Sequence, residues 1–168
     1  MAAQHSSRIP ASSTRPARVS TVLRSSIPVS RAKEGRRTFR STVGVVGGVR
    51  VVIVDMGGNI RAAERPENGR IANLDIAQKK AWTAISFKRP TEMVRRIMMP
   101  DAFGYGLQHT DHRICMVTGG FPVVEDGQFL GGIGVSGGPV DQDSAVCLAA
   151  IEACGFSTEF EDPHGGAR

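Results

Sequence analysis

From Val49 onward the pattern of apolar and polar positions alternates between strand and helix signals. Val49-Arg50-Val51-Val52-Ile53-Val54-Asp55 is β-branched and dense enough for a buried strand. Gly57-Gly58-Asn59 supplies residues that tolerate positive φ, so residues 60–64 return as an antiparallel partner that Pro66 stops. Asn73 or Asp75 is positioned to cap a helix running to about Phe87. Leu74, Ala77, Ala81, Ala84 and Ile85 share one face of it, while Gln78, Lys79 and Trp82 lie off that face. Pro90 ends this helix, and Thr91 with Glu92 opens a shorter one through Met98 that Pro100 closes. Residues 101–118 read as a loop, with a short strand over 115–118. A hairpin follows, its strands at 121–125 and 128–136 joined by the type I′ pair Asp126-Gly127. Asp141 or Asp143 caps a last helix over 144–154, with Ala145, Leu148, Ala149 and Cys154 on its buried side and Gly155 as a left-handed stop. The elements predict an α+β fold, an antiparallel sheet flanked by helices in two or three layers.

Charge divides the chain unevenly. Residues 1–40 carry nine Lys or Arg and one acid, a net of +8, and residues 41–168 carry twelve and fifteen, a net of −3, giving the whole chain its +5. A mildly acidic body offers no electrostatic footprint for nucleic acid. No run of about 18 apolar residues occurs, so a membrane-spanning helix is not expected. Three cysteines without a C-x-x-C do not make a disulfide scaffold and fit reduced thiols, hence a cytoplasmic location. The first forty residues, rich in Ser, Arg, Pro and Thr, have the composition of a disordered tail. Export or an organelle address through this segment is the alternative: it is Arg-rich and acid-poor like a transit peptide, and Arg36-Arg37-Thr38-Phe39 has the letters of a twin-arginine signal. A basic arm or a mis-assigned start are the other readings. The expected units are a tail over 1–40, a domain over 41–155 and a loose end over 156–168.

Two motif matches do not survive their structural context. Gly132-Ile133-Gly134-Val135-Ser136-Gly137 spells G-x-G-x-x-G, but inside a hairpin strand rather than at a strand-to-helix turn of a βαβ unit. Gly134-Val135-Ser136-Gly137-Gly138 spells G-x-S-x-G, yet the next helix starts too late for a nucleophile elbow. Glycine-dense strands mark close backbone approach instead, by a packed helix or by a flat ligand. The titratable cluster is His109-Thr110-Asp111-His112 with Cys115 three residues on. His-x-x-His-x-x-Cys could ligate a transition metal, or one imidazole could bind haem iron, or the loop could simply be solvated. Lys80 gains a binding role only if it points to the sheet end near Ser136, where a carboxylate or propionate would sit.

The run Val51-Val52-Ile53-Val54-Asp55-Met56-Gly57-Gly58-Asn59, then Ile76-Ala77-Gln78-Lys79-Lys80-Ala81-Trp82-Thr83-Ala84, resembles the GlcG/HbpS family. Arg89-Pro90-Thr91, Gly119-Gly120-Phe121-Pro122-Val123 and the 131–138 glycine run extend the likeness over roughly residues 49–155. The resemblance implies a profilin-like or PAS-like sandwich that assembles into homo-oligomers. Some members bind haem or take part in its degradation, and others accompany glycolate or diol metabolism or form the C-terminal part of PduO-type proteins. It implies a haem-binding or haem-degradation-associated protein, or else an accessory protein that binds a small organic acid. His109, His112, Lys80, Gly120 and Ser136 are the expected cofactor contacts, with the two histidines also as metal ligands. The family normally opens with an amphipathic helix where this chain has its Arg/Ser-rich tail, so His109 or His112 would have to supply the iron ligand. Acidic iron-binding pairs of other members are replaced here by Asp75 and Gln78.

Overall fold

Strand alternation sends the side chains of one strand into two separate cores. In the computed structural model, which describes residues 49–67 and 69–157, β1 (Arg50–Asp55) points Val52 and Val54 to one side and Val51 and Ile53 to the other. It is followed by β2 (Ile60–Glu64), α1 (Ala72–Phe87), α2 (Thr91–Ile97), one 3₁₀ turn (Leu107–His109), β3 (Gly120–Glu125), β4 (Gln128–Ser136) and α3 (Val140–Ala153). The four strands lie in the order β2-β1-β4-β3, and every neighbouring pair is antiparallel. Two hairpins are therefore zipped together by β1 and β4, in register from Arg50 opposite Ser136 to Asp55 opposite Gly131. Val52 and Val54 pack with Ala77, Ala81 and Ile85 of α1. Val51, Ile53, Ile133 and Val135 pack with Cys147, Ala150 and Ile151 of α3. The fold is an α+β sandwich of three layers, with α1 and α3 on opposite faces of the sheet.

The glycine run settles what lies against the strands. A β-carbon built on Gly132 would collide with the Ala81 carbonyl oxygen, and one on Gly134 with the Ala77 carbonyl oxygen. On the neighbouring strand, a β-carbon on Gly120 would lie 2.5 Å from the Lys80 carbonyl oxygen. The group in close approach is thus helix α1, so the G-x-G-x-x-G letters record helix-on-sheet packing. Both hairpin turns form as expected: Gly58 has φ 78°, and Asp126 and Gly127 have φ 49° and 74°. Gly155 is left-handed after α3.

Several local expectations are corrected. α1 starts at Ala72 without a side-chain cap, so neither Asn73 nor Asp75 caps it. α3 starts at Val140 behind Pro139, four residues earlier than expected, because Asp143 lies inside the helix and turns back to accept the Gly138 N–H at 3.0 Å. That start rotates its buried face to Asp143, Cys147, Ala150 and Ile151, leaving Ala145 exposed. Residues 115–118 form no strand. Phe156, assigned to a loose end, is buried in the α3-side core, and the Ser157 N–H donates to the Val124 carbonyl at the edge of β3. The expectations for residues 1–40 and 158–168 lie outside the described residues.

Gly134→Ala should lower the urea midpoint by an amount equivalent to about 1–3 kcal/mol or more, because the added methyl must push α1 off the sheet. An unchanged midpoint would contradict this packing.

Candidate functional site

Opposite its buried stripe, α1 carries Asp75, Gln78, Lys79 and Trp82 at i, i+3, i+4 and i+7, so all four share one side of the helix. The β1–β2 turn and the loop before β3 close over this side. Together with Gly58, His112 and Arg113 they line a groove of about 280 Å³. The turn is shaped by Asp55, whose Oδ1 accepts from the backbone N–H groups of Gly57 (2.9 Å) and Asn59 (3.0 Å) and from Asn59 Nδ2 (3.1 Å). This presses Gly58 onto the indole: a β-carbon there would lie 2.5 Å from Trp82 Cδ1. The loop is tied down by Thr83, the neighbour of Trp82. Its hydroxyl donates to the Arg113 carbonyl at 3.3 Å and accepts the Cys115 N–H at 2.9 Å.

These anchors set Arg113 over the indole, 4.2 Å from the ring centroid, at cation–π range. Asp111 holds the guanidinium from the other side, through Nε at 3.0 Å and Nη2. The side-chain and backbone hydrogen bonds from Arg113 keep the Asp111 carboxyl well below the usual carboxylate range, and Asp111 in turn raises the Arg113 guanidinium. Lys79 pairs with Asp75 at 3.0 Å, on a largely solvated surface where such pairs are readily exchanged. His112 is 88 % exposed, with Nδ1 3.7 Å from Asp111 Oδ1. A carboxylate beside Nδ1 favours metal binding through the other imidazole nitrogen.

The expected site residues divide into two groups. His112 lines the groove, whereas His109 sits at the end of the 3₁₀ turn beside Gln108 and does not. Cys115 turns its backbone to Thr83, and no group of three or more His, Cys, Asp or Glu among the described residues is placed to hold a metal ion. The His-x-x-His-x-x-Cys spacing therefore does not assemble a three-ligand centre. Lys80, Gly120 and Ser136 are all buried. Lys80 does point to the sheet end, but the carboxylate it meets belongs to the chain: Nζ donates to Asp143 Oδ2 at 2.9 Å and to the Val135 carbonyl at 2.7 Å. It passes Gly119, where a β-carbon would lie 3.0 Å from Nζ and 2.9 Å from Asp143 Cβ. Cys147 completes this interior cluster, donating to the Gly119 carbonyl at 3.3 Å, and burial pushes its thiol up. The glycine face, Lys80 and Ser136 thus lie within helix-on-sheet packing. Trp82, Lys79 and Arg113 are the groove residues that sequence reasoning missed, with Thr83 as the buried anchor behind them, although the spacing of 75, 78, 79 and 82 marks one helix face.

A second depression, of about 470 Å³, opens where α2, α3 and the start of β3 meet. Pro90, Met93, Phe121 and Val140 give it an apolar floor.

A family model described as haem-degrading protein HbpS-like matches residues 32–152. An uncharacterised 15.0 kDa protein of Citrobacter freundii, encoded in the dhaT–dhaS intergenic region, is 37 % identical over 101 residues, covering 60 % of this chain and 71 % of that protein. The corrinoid adenosyltransferase PduO of Salmonella typhimurium is 35 % identical over 109 residues, 64 % of this chain but only 32 % of PduO. The crystal structure of a PduOC–haem complex shares the fold with a TM-score of 0.64 and 35 % identity, covering 66 % of this chain and 81 % of that one. No helix among the described residues is long and apolar enough to cross a membrane.

Removing one partner of the buried ion pair, as in Lys80→Met, should cost about 3–5 kcal/mol in chemical denaturation, and adding Asp143→Leu should recover part of it. Equal loss in single and double variants would contradict the pairing. Asp111 provides a pH test. Its folded value lies below the ordinary 3.8, so its contribution is present above that value and is lost only as pH falls through the lower one. In a His109→Ala/His112→Ala background, which removes the imidazoles near the groove, the fluorescence of Trp82, the chain's single tryptophan, should therefore hold steady from pH 8 to about 4, and Asp111→Asn should change it at pH 7.

Proposed function

The chain belongs to the HbpS-like family of haem-degrading proteins, and from that premise we propose that it binds haem at the groove of Trp82, His112 and Arg113. One observation carries the reading: a single groove combines an exposed imidazole, an indole and two cationic side chains. His112 would supply the donor for the iron, with Asp111 beside its Nδ1. Lys79 and Arg113 would hold its propionates, and Trp82 would offer it an apolar contact. Bound haem would supply a redox-active iron whose behaviour is tuned by its axial ligand and by the dielectric around it. The chain's own part is to bind and orient. Asp111 and Thr83 keep Arg113 and its loop fixed, and Gly58 keeps the indole in one position. A PduOC relative in complex with haem supports the same ligand class.

The groove volume favours a second reading. At about 280 Å³ it falls just below the usual range for drug-sized ligands, so a small organic acid would fit between Lys79 and Arg113. Haem, being larger, would extend beyond the groove mouth.

Titration with hemin decides between them. The haem reading predicts a Soret band at one equivalent per chain, shifted or lost in His112→Ala and retained in His109→Ala. A band indifferent to His112→Ala would overturn this site. No band in the wild type, together with saturable displacement of Trp82 fluorescence by a 2-hydroxy acid, would favour the small-acid reading.

A further inference from the structure

The two fixed cations of the groove are held differently, and the difference decides which of them a ligand can recruit. Arg113 is committed. Asp111 Oδ1 accepts from the Arg113 backbone N–H at 2.8 Å and from Nε at 3.0 Å, and Asp111 Oδ2 accepts from Nη2 at 2.6 Å. The Trp82 ring centroid lies 4.2 Å from the guanidinium carbon on another side. A guanidinium gripped by a bidentate carboxylate and stacked on a ring is costly to detach.

Lys79 is held more loosely. Among the described residues it meets one carboxylate, Asp75 Oδ2 at 3.0 Å, and the two side chains are 33 % and 63 % exposed. An i,i+4 pair on a helix surface contributes little and exchanges readily. An ammonium on a flexible four-carbon stem can also turn from one carboxylate to another without any backbone movement. Asp75 and Lys79 both line the groove, one helical turn apart, with Trp82 the next turn on. The Asp75 carboxylate thus already gives Lys79 the contact that a ligand carboxylate would offer. An anionic ligand has to displace it, whereas an uncharged ligand has no such competitor.

We propose that Asp75 sets the anion preference of the groove: it is a placeholder that Lys79 exchanges for the carboxylate of the ligand, while Arg113 keeps its hold on Asp111. Asp75 lowers the affinity of the groove for carboxylates and leaves that for uncharged ligands unchanged. The inference rests on the groove being the ligand site. It applies to a haem propionate and to a small free acid, because the exchanged group is a carboxylate in both.

The test follows Trp82 fluorescence in wild type, Asp75→Asn, Lys79→Met and the double variant. The probes are hemin, hemin dimethyl ester, whose propionates carry no charge, and lactate as a 2-hydroxy acid. Both residues are on the solvated side of α1, so the substitutions leave the core untouched. Asp75→Asn should lower the Kd of the carboxylate probe about two- to fivefold, the equilibrium equivalent of an exposed ion pair. The Kd of the dimethyl ester should not move, and in the Lys79→Met background Asp75→Asn should gain nothing. Tightening of hemin marks a propionate as the exchanged group, tightening of lactate marks a free acid, and either supports the proposal. Equal tightening of the dimethyl ester, or equal tightening with and without Lys79, would overturn it. Hemin binding that is lost in His112→Ala yet indifferent to Asp75→Asn would overturn this inference and leave the haem reading standing. Absence of hemin binding in wild type would remove the haem reading, and the lactate arm would then decide this inference; binding of neither probe would overturn both.

Discussion

Helix α1 rests with its backbone carbonyls against three strand positions where a methyl group has no room. Gly120, Gly132 and Gly134 let it settle onto the sheet, and the remaining geometry follows from that contact. Only at this separation can Lys80 pass Gly119 at the sheet end and meet Asp143 in the opposite layer. A buried ion pair is a weak source of net stability, but breaking half of it is costly, so it fixes how the middle of α1 sits relative to the first turn of α3. The same placement turns Trp82 outward. Trp82 emerges under the β1–β2 turn, and Thr83, one residue on, holds the loop that carries His112 and Arg113.

The groove is therefore a by-product of packing made useful by charge. Its walls come from a helix, a turn and a loop, each locked by a specific hydrogen bond: Asp55 in the turn, Thr83 to the loop, Asp111 to the guanidinium. Such anchoring holds side chains in place before a ligand arrives, which lowers the ordering cost of binding. The interior cluster of Lys80, Asp143 and Cys147 has the more unusual chemistry but is sealed by the chain itself.

Most of the fold was legible in the residues. The β-branched run of 49–55, the turn residues at Gly57-Gly58-Asn59 and Asp126-Gly127, and the alanine stripe of α1 each have a local cause that sequence displays. The glycine run left a choice between helix and flat ligand, because a missing side chain records that something comes near without saying what. The buried face of α3 was misjudged because Asp143, a charged residue, points inward toward a partner 63 positions away, and no local pattern announces that pairing. The site was half legible for the same reason. His112 stands out by type, but Arg113 gains its role only through contacts with Trp82 and Asp111, and Lys79 and Trp82 resemble an ordinary solvated helix face until the loop is folded over them. His109 and His112 look equivalent in sequence, and a single 3₁₀ turn separates their fates.

Haem held in the groove would sit beside Trp82. Because this is the chain's one tryptophan, its fluorescence during hemin addition reports directly on that placement. Near-complete quenching that saturates at one hemin per chain, in step with the Soret absorbance, is the expected result. A Soret band that saturates while the indole emission stays close to its initial value would put the haem elsewhere and contradict binding at this groove.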